Sequence, residues 1–159
     1  MSPFGLGKEL DISPEEASRF IADYFLAFPG VSAWIDRTIS DARELGYVKT
    51  MMNRIRYVPD INSDNRSRRE FAERTAINTP IQGTAADLIK LAMIRVADSL
   101  STDKAKLILQ IHDELVLEVL EDELETTTEI VRKEMASTLP LHVPVVVEVG
   151  VGKNWYEAH

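Results

Sequence analysis

The sequence has 159 residues, of which 45% are hydrophobic and 28% charged, with 0 cysteines and a net charge of −8 at pH 7. This globular composition argues against disorder, and the lack of cysteine excludes disulfides and thiolate metal sites. No apolar run reaches the roughly 18–20 residues that span a membrane, and the first residues lack a signal-peptide pattern. We therefore expect a soluble, cytoplasmic chain without a membrane partner, folded as one domain or two small lobes.

The first half of the chain predicts two helices. Ser13 and Glu16 form a capping box with Pro14 at the first helical position, so a helix should run from there to about residue 28. A second helix is predicted over residues 31–44 and should end at Gly46, because glycine favours the left-handed conformation that closes helices.

Next in the chain are a short hairpin and a loop. Residues 47–50 and 54–58 predict two strands around a turn at 51–53, and residues 60–65 are polar enough to form a loop. Asn53 in the turn tolerates a positive φ, so we expect the turn to form without glycine.

The second half predicts a helix, a hairpin, a helix and a strand. The long helix covers residues 66–100, and the hairpin covers residues 107–119. An acidic amphipathic helix follows over 121–139, and residues 143–149 predict a buried strand with Pro144 near its start. The fold class is therefore α+β.

The charge is unevenly distributed. Residues 49–74 hold seven basic and four acidic side chains, a local charge of +3, so the rest of the chain carries −11. Such a basic stretch on an acidic chain is typical of a surface that contacts phosphates. A solvated helix face with internal ion pairs gives the same pattern, and charge alone leaves both interpretations open.

Three adjacent polar residues, His112, Asp113 and Glu114, interrupt the apolar strands of the second hairpin. Two carboxylates and an imidazole at the end of a rigid hairpin can bind a divalent ion or transfer protons. Polar turns between apolar strands are also common, so the spacing alone is compatible with a solvated turn.

Arg74, Asn78 and Gln82 follow one another at intervals of four residues in the long helix, which places them along one helix face. Their planar heads with several donors suit base edges and sugar oxygens. Pro80 and Gly83 predict a kink there, which lets the row follow a curved surface such as a duplex groove. The alternative is a helix junction in which Asn78 and Gln82 bond local backbone.

Together these segments resemble the C-terminal part of the family A DNA polymerases of the bacterial DNA polymerase I type. The matching stretches are Met1-Ser-Pro-Phe-Gly-Leu, Gly46-Tyr-Val-Lys-Thr, Arg56-Tyr-Val-Pro-Asp-Ile, residues 73–90, Gln110–Val119 and the ending Val147-Glu-Val-Gly with Asn154-Trp and Ala158-His159. The order is that of the family, and the ending resembles the family's natural C-terminus. The resemblance implies a palm-type antiparallel sheet backed by long helices, with residues 1–65 as a helical remnant of the fingers and 66–159 as the C-terminal half of the palm.

The resemblance also implies roles for single residues. Asp113 would be a metal ligand, Glu114 a weaker or water-mediated one, and His112 a partner of the primer end. The remaining matched residues would contact DNA: Arg74, Asn78 and Gln82 in the minor groove, Arg54, Arg56 and Arg66 at phosphates, and Ser2. The implied reaction is template-directed nucleotidyl transfer to a primer 3′-hydroxyl, in DNA replication and repair, with two Mg²⁺ ions. The implied partners are primer-template DNA and deoxynucleoside triphosphate.

Two parts of the family pattern do not occur in this sequence. The Asp-Tyr-Ser-x-Ile-Glu-like strand that carries the first catalytic Asp is absent, and so is the helix that grips the nucleotide. We therefore expect this polypeptide alone to be inactive and to bind Mg²⁺ weakly or not at all. The alternative function is a non-catalytic module that binds DNA weakly or associates with the missing N-terminal polymerase segment.

Overall fold

The computed structural model describes residues 2–158 and confirms the α+β class. The helices are α1 (Pro3–Leu10), α2 (Pro14–Ala27), α3 (Pro29–Leu45), α4 (Arg66–Ser99), α5 (Leu124–Ala136) and α6 (Trp155–Ala158). The strands are β1 (Tyr47–Lys49), β2 (Ile55–Tyr57), β3 (Ala105–Ile111) and β4 (Glu114–Val119). They form two separate antiparallel hairpins, β1–β2 and β3–β4.

The chain divides into two compact units. The first contains the described residues through Lys49 together with Ile55–Thr79, and the second contains Thr50–Arg54 together with the described residues from Pro80 onward. This division differs from the predicted boundary after residue 65, because it falls inside α4 and assigns the turn of the first hairpin to the second unit. The assignment of residues 1–65 to fingers and 66–159 to palm stays a prediction.

Helix α1 was not predicted from the sequence. Ser2 caps it by accepting a hydrogen bond from the Gly5 amide at 3.1 Å, with Pro3 at the first helical position. Asp11 closes the helix with a φ of 55°, a conformation that aspartate adopts more readily than most residues. The segment is short, and its two glycines lower its helix propensity, so its sequence gives no clear helical period.

The predicted caps of α2 and α3 are confirmed. Ser13 and Glu16 each bond the other's backbone amide at 3.1 Å. Gly46 ends α3 with a φ of 76° and donates its amide to the Ala42 carbonyl at 2.9 Å. Helix α3 begins at Pro29, two residues before the predicted start, because the fixed φ of proline suits the first helical position.

The core of the first unit is formed by small and branched residues. The buried members of this cluster are Ala42, Val48, Val58, Ile61, Ala72 and Ala76. Ile61 lies in a single 3₁₀ turn, Pro59–Asn62, where the sequence predicted an irregular polar loop. Burial of this one apolar side chain explains why the segment is ordered as a turn.

In the second unit, a buried carboxylate holds the turn Thr50–Arg54 against α4. Asp87 has a side chain only 2% exposed and accepts a hydrogen bond from the Thr50 hydroxyl at 2.7 Å. Its other oxygen is in an ion pair with the Arg54 guanidinium. The Met51 amide donates to the Thr84 hydroxyl at 2.9 Å. We call this group of contacts the Asp87 clamp.

Helix α4 is close to its predicted length and continues through Pro80. Proline has no amide hydrogen, so the Ala76 carbonyl loses its usual helical donor at this point. The Pro80 carbonyl accepts a hydrogen bond from the Thr84 hydroxyl, one turn later. The proline therefore interrupts the hydrogen-bond ladder without ending the helix.

The second hairpin contains a β-bulge that the sequence did not reveal. Leu107 pairs with Leu117 and Leu109 with Val116, so Ile108 is an extra residue in β3. The predicted helix over 121–139 is divided into a 3₁₀ turn, Glu121–Glu123, and the shorter α5.

The predicted buried strand over residues 143–149 is wrong. This segment has no regular secondary structure, and Val143 and Val146 are exposed, Val146 by 79%. A strand needs the backbone of a neighbouring strand, and no described segment pairs with this one. The valines thus indicate a preference for an extended backbone, but no hydrogen-bonding partner among the described residues stabilises a strand here.

No helix in the described part of the chain has the length and apolarity to cross a membrane.

Hydrogen exchange tests this description of the valine-rich segment. We expect the amides of residues 143–149, Pro144 excepted, to exchange much faster than the amides of β3 and β4 that face the partner strand, because only the latter are bonded across the hairpin. Exchange can be read residue by residue by NMR. Protection of residues 143–149 equal to that of Leu115–Leu117 would contradict the unpaired conformation.

Candidate functional site

The three polar residues of the second hairpin meet at a tight turn. Ile111 pairs with Glu114, so His112 and Asp113 form a two-residue loop. His112 has a φ of 53°, whereas Asp113 is not among the residues with positive φ. This is the pattern of a type II′ turn, which normally takes glycine at the first position. The histidine therefore carries local strain, of a kind that often accompanies functional sites.

Gln110 supports this turn and was missed by sequence reasoning. Its side-chain amide donates a hydrogen bond to the carbonyl of His112. The bond reduces the freedom of a turn that lacks glycine. The sequence signal for this role is the position of Gln110 two residues before His112, since a side chain at such short spacing can reach the carbonyl of a neighbouring turn.

The turn presents two carboxylates to an open cleft. His112 and Asp113 are exposed, and Glu114 is half-buried at the start of β4. Asp113 and Glu114 line a cleft of about 1360 Å³, together with residues of β4, α5 and the segment 145–158. Because this volume exceeds that of typical small-molecule pockets, the cleft can admit a large ligand.

The donor set suits a hard cation only in part. Carboxylate oxygens are the ligands that Mg²⁺ prefers, and Asp113 and Glu114 supply them at the turn. Within residues 2–158, however, no group of three or more His, Cys, Asp or Glu side chains converges on one point. The turn can therefore provide one or two ligands, and the rest must come from elsewhere.

The row Arg74, Asn78 and Gln82 lies on α4 as predicted, and all three side chains are exposed. Arg74 and Asn78 belong to the first unit and Gln82 to the second. The Arg74 guanidinium lies over the ring of Phe71, 5.9 Å from its centroid. Each of these three side chains is therefore accessible from solvent.

The predicted phosphate-binding arginines differ in their surroundings. Arg54 is committed in part to the Asp87 clamp, although 56% of its side chain is exposed. Arg66 pairs with Glu70 at 2.7 Å, a hydrogen bond that raises the pKa of Arg66 and lowers that of Glu70. Arg56 is exposed on β2. Contacts of these three residues with DNA stay predictions.

Ser2 is exposed, and its hydroxyl caps α1. The structure thus gives Ser2 a local structural role, and its contact with DNA stays a prediction. Asp87 and Thr50 were not singled out from the sequence, because they lie 37 residues apart and only the folded chain joins them.

Known proteins similar to this chain all point to one family. The family model described as DNA polymerase family A matches residues 1–157. The chain is 52% identical over 158 residues to the thermostable DNA polymerase I of Thermus filiformis. This match covers 99% of this chain and 19% of the relative. It is 50% identical over 161 residues to DNA polymerase I of Pseudomonas aeruginosa, covering 100% of this chain and 18% of the relative.

A solved structure agrees with these sequence matches. The POL domain of Pol1 from M. smegmatis, in complex with DNA primer-template and dNTP, matches with a TM-score of 0.93 and 43% identity, over 99% of this chain and 28% of that chain. The chain thus spans about a fifth of the length of the curated relatives it matches. Because the family model covers nearly the whole sequence, the chain belongs to DNA polymerase family A.

Proposed function

We propose that this chain forms part of a DNA-directed DNA polymerase that adds deoxynucleotides to a primer 3′-hydroxyl as a template directs, in DNA replication and repair. The observation that carries the proposal is the strained two-residue turn at His112 and Asp113, which presents carboxylates to a large cleft in a chain of this family. Primer-template DNA and deoxynucleoside triphosphate are the proposed partners, as in the mycobacterial complex.

The turn residues have separate roles in this proposal. Asp113 is exposed and is the principal ligand for a divalent ion. Glu114 is half-buried and neighbours Asp113 at the start of β4, which suits a weaker or water-mediated role. His112 orients the primer end through a hydrogen bond, since its ring is exposed beside the carboxylates.

The proposed cofactor is Mg²⁺, held by Asp113 and, less directly, by Glu114. Mg²⁺ is usually bound through one or two carboxylates together with waters and substrate phosphates, so the two oxygen-bearing side chains of this turn fit such a partial site. When bound, such ions would offset the negative charge that develops on the attacking and leaving oxygens of the phosphoryl transfer. This chain's contribution is to fix the carboxylates on a rigid hairpin.

Helix α4 supplies the proposed contact with duplex DNA. Minor-groove edges offer acceptors at purine N3 and pyrimidine O2 in every base pair, so the donors of Arg74, Asn78 and Gln82 can test pair geometry without reading sequence. A polymerase needs contacts of this kind because it must accept any correct pair. Arg56 and Arg66, both exposed, are the proposed phosphate contacts. Arg54 has a smaller share, because Asp87 already neutralises part of its charge.

A second candidate is a non-catalytic module. It is favoured by the absence of any group of three or more metal-ligating side chains within the described residues. Such a module would fold, bind DNA weakly or associate with an N-terminal polymerase segment, without turning over nucleotides. Both candidates predict that the isolated chain transfers no nucleotide, and they differ in what the chain does when it is joined to the rest of a polymerase.

Primer extension separates them. We expect no extension by the isolated chain and extension by a chimera in which this chain replaces the matching segment of the Thermus filiformis polymerase. The unmodified relative is the positive control, and circular dichroism checks that the chimera folds. A folded chimera that binds primer-template DNA but never extends it would exclude the polymerase assignment.

In the same chimera, Asp113→Asn should lower the extension rate by about 10²–10³-fold or more, because the transition state loses a charged group that holds the metal. DNA affinity should change little. Glu118→Gln, at an exposed acid on the adjoining strand β4, is the matched control and should retain its rate. Equal effects of the two substitutions in rapid-quench kinetics would refute the role of Asp113.

Gln82→Ala tests the proposed minor-groove contact. Loss of one hydrogen bond to a buried acceptor costs about 1–3 kcal/mol, so extension of a matched primer end should slow by roughly 5- to 150-fold. A mismatched end should be affected less, because the contact is already broken there. Asp98→Ala, also exposed on α4, is the control. If matched and mismatched ends both extend at the unmodified rate, Gln82 has no role in checking the pair.

A further inference from the structure

An exposed aromatic ring lies within the basic stretch, and the proposed function makes no use of it. Phe71 is on α4 with 63% of its surface exposed. The guanidinium of Arg74, three residues later, lies 5.9 Å from the ring centroid. At this distance the cation is attracted to the ring face, which favours a conformation with the two side chains together on the helix.

The acids of the same helical turns are already engaged. Glu70 pairs with Arg66 at 2.7 Å, and Glu73 pairs with Arg43 at 2.6 Å. The pKa of Glu70 is lowered first by its hydrogen bond and charge interaction with Arg66. The positive charges of Arg74 and Arg69 lower it further. The surface around Phe71 therefore has more positive charge than its own acids neutralise.

The chemistry of this surface selects its ligand. An apolar protein partner would have to desolvate the arginines beside the ring, which is costly without matching acids. A polyanion with flat aromatic groups satisfies both features, since phosphates attract the arginines and bases stack on the ring. Bases within a duplex are already stacked on one another, so a ring on the protein surface needs an unpaired base.

We propose that Phe71 and Arg74 form a stacking platform for an unpaired base of single-stranded DNA, with the exposed Arg68, three residues before Phe71 on the helix, attracting the strand's phosphates. Stacking of this kind tolerates any base, because every base has a π-face. The platform goes beyond the proposed function, because it binds a strand that is not paired and needs neither a metal ion nor nucleotide transfer.

The test uses the chain itself and two fluorescent probes of about 12 nucleotides, within the usual site size of single-strand binding surfaces. One probe is oligo-deoxythymidine, and the other has the same phosphates without bases. In fluorescence anisotropy, Phe71→Leu should weaken binding of the thymidine probe about five-fold or more and leave the abasic probe unchanged. Phe71→Trp should restore the affinity, because tryptophan also stacks.

Phe20→Leu is the matched control, since Phe20 is an aromatic residue on α2 that is exposed to a similar degree, 60%. It should not alter the affinity for either probe, and thermal unfolding should be alike in all variants. The proposal is overturned if the unmodified chain does not bind the thymidine probe, if the two leucine variants behave alike, or if Phe71→Leu weakens both probes equally. The last result would mean that charge alone holds the strand.

Discussion

The buried carboxylate of Asp87 is the constraint on which the second unit depends. A carboxylate removed from water is unfavourable unless charged or polar partners replace its hydration. Asp87 obtains these partners from one short turn, the hydroxyl of Thr50 and the guanidinium of Arg54. The turn is thereby held against α4, and the Met51 amide completes the contact through Thr84. The helix continues through Pro80 beside this clamp, and Thr84 also donates its hydroxyl to the Pro80 carbonyl.

Two of the proposed functional residues, Asp113 and Gln82, lie on elements with few degrees of freedom. Asp113 is part of a two-residue turn between paired strands. Gln82 lies on α4, shortly before the residues of that helix that form the Asp87 clamp. Rigid placement matters for a polymerase because a group displaced by a fraction of an ångström loses much of its effect on the transition state. The strained φ of His112 fits the same logic, since a relaxed longer loop would leave the carboxylates mobile.

Several features encoded by neighbouring residues were predictable, although helix α1 was not, and features that join distant residues were not predictable. The capping box of Ser13, the closing Gly46 and the hairpin around His112 follow from signals within a few positions. The prediction of a strand over 143–149 was wrong because the valine pattern reflects only a preference for extended backbone. Strand formation also needs the backbone of a partner strand. The Asp87 clamp could not be read from the sequence, because nothing local marks Asp87 as the partner of Thr50. The turn residues of the candidate site were recognised, but their support by Gln110 was not.

The most direct test of this account is to remove only the charge of Asp87. Asp87→Asn keeps the shape of the side chain and an acceptor for Thr50, but it removes the ion pair with Arg54. We predict a free energy of unfolding lower by about 1.5–3 kcal/mol, with faster hydrogen exchange at the Met51 and Arg54 amides, which bond within the clamp. The amide of Val116 in β4 should keep its protection relative to the global stability. Unchanged exchange at Met51 and Arg54, together with unchanged stability, would contradict the claim that the buried charge holds the turn to the helix.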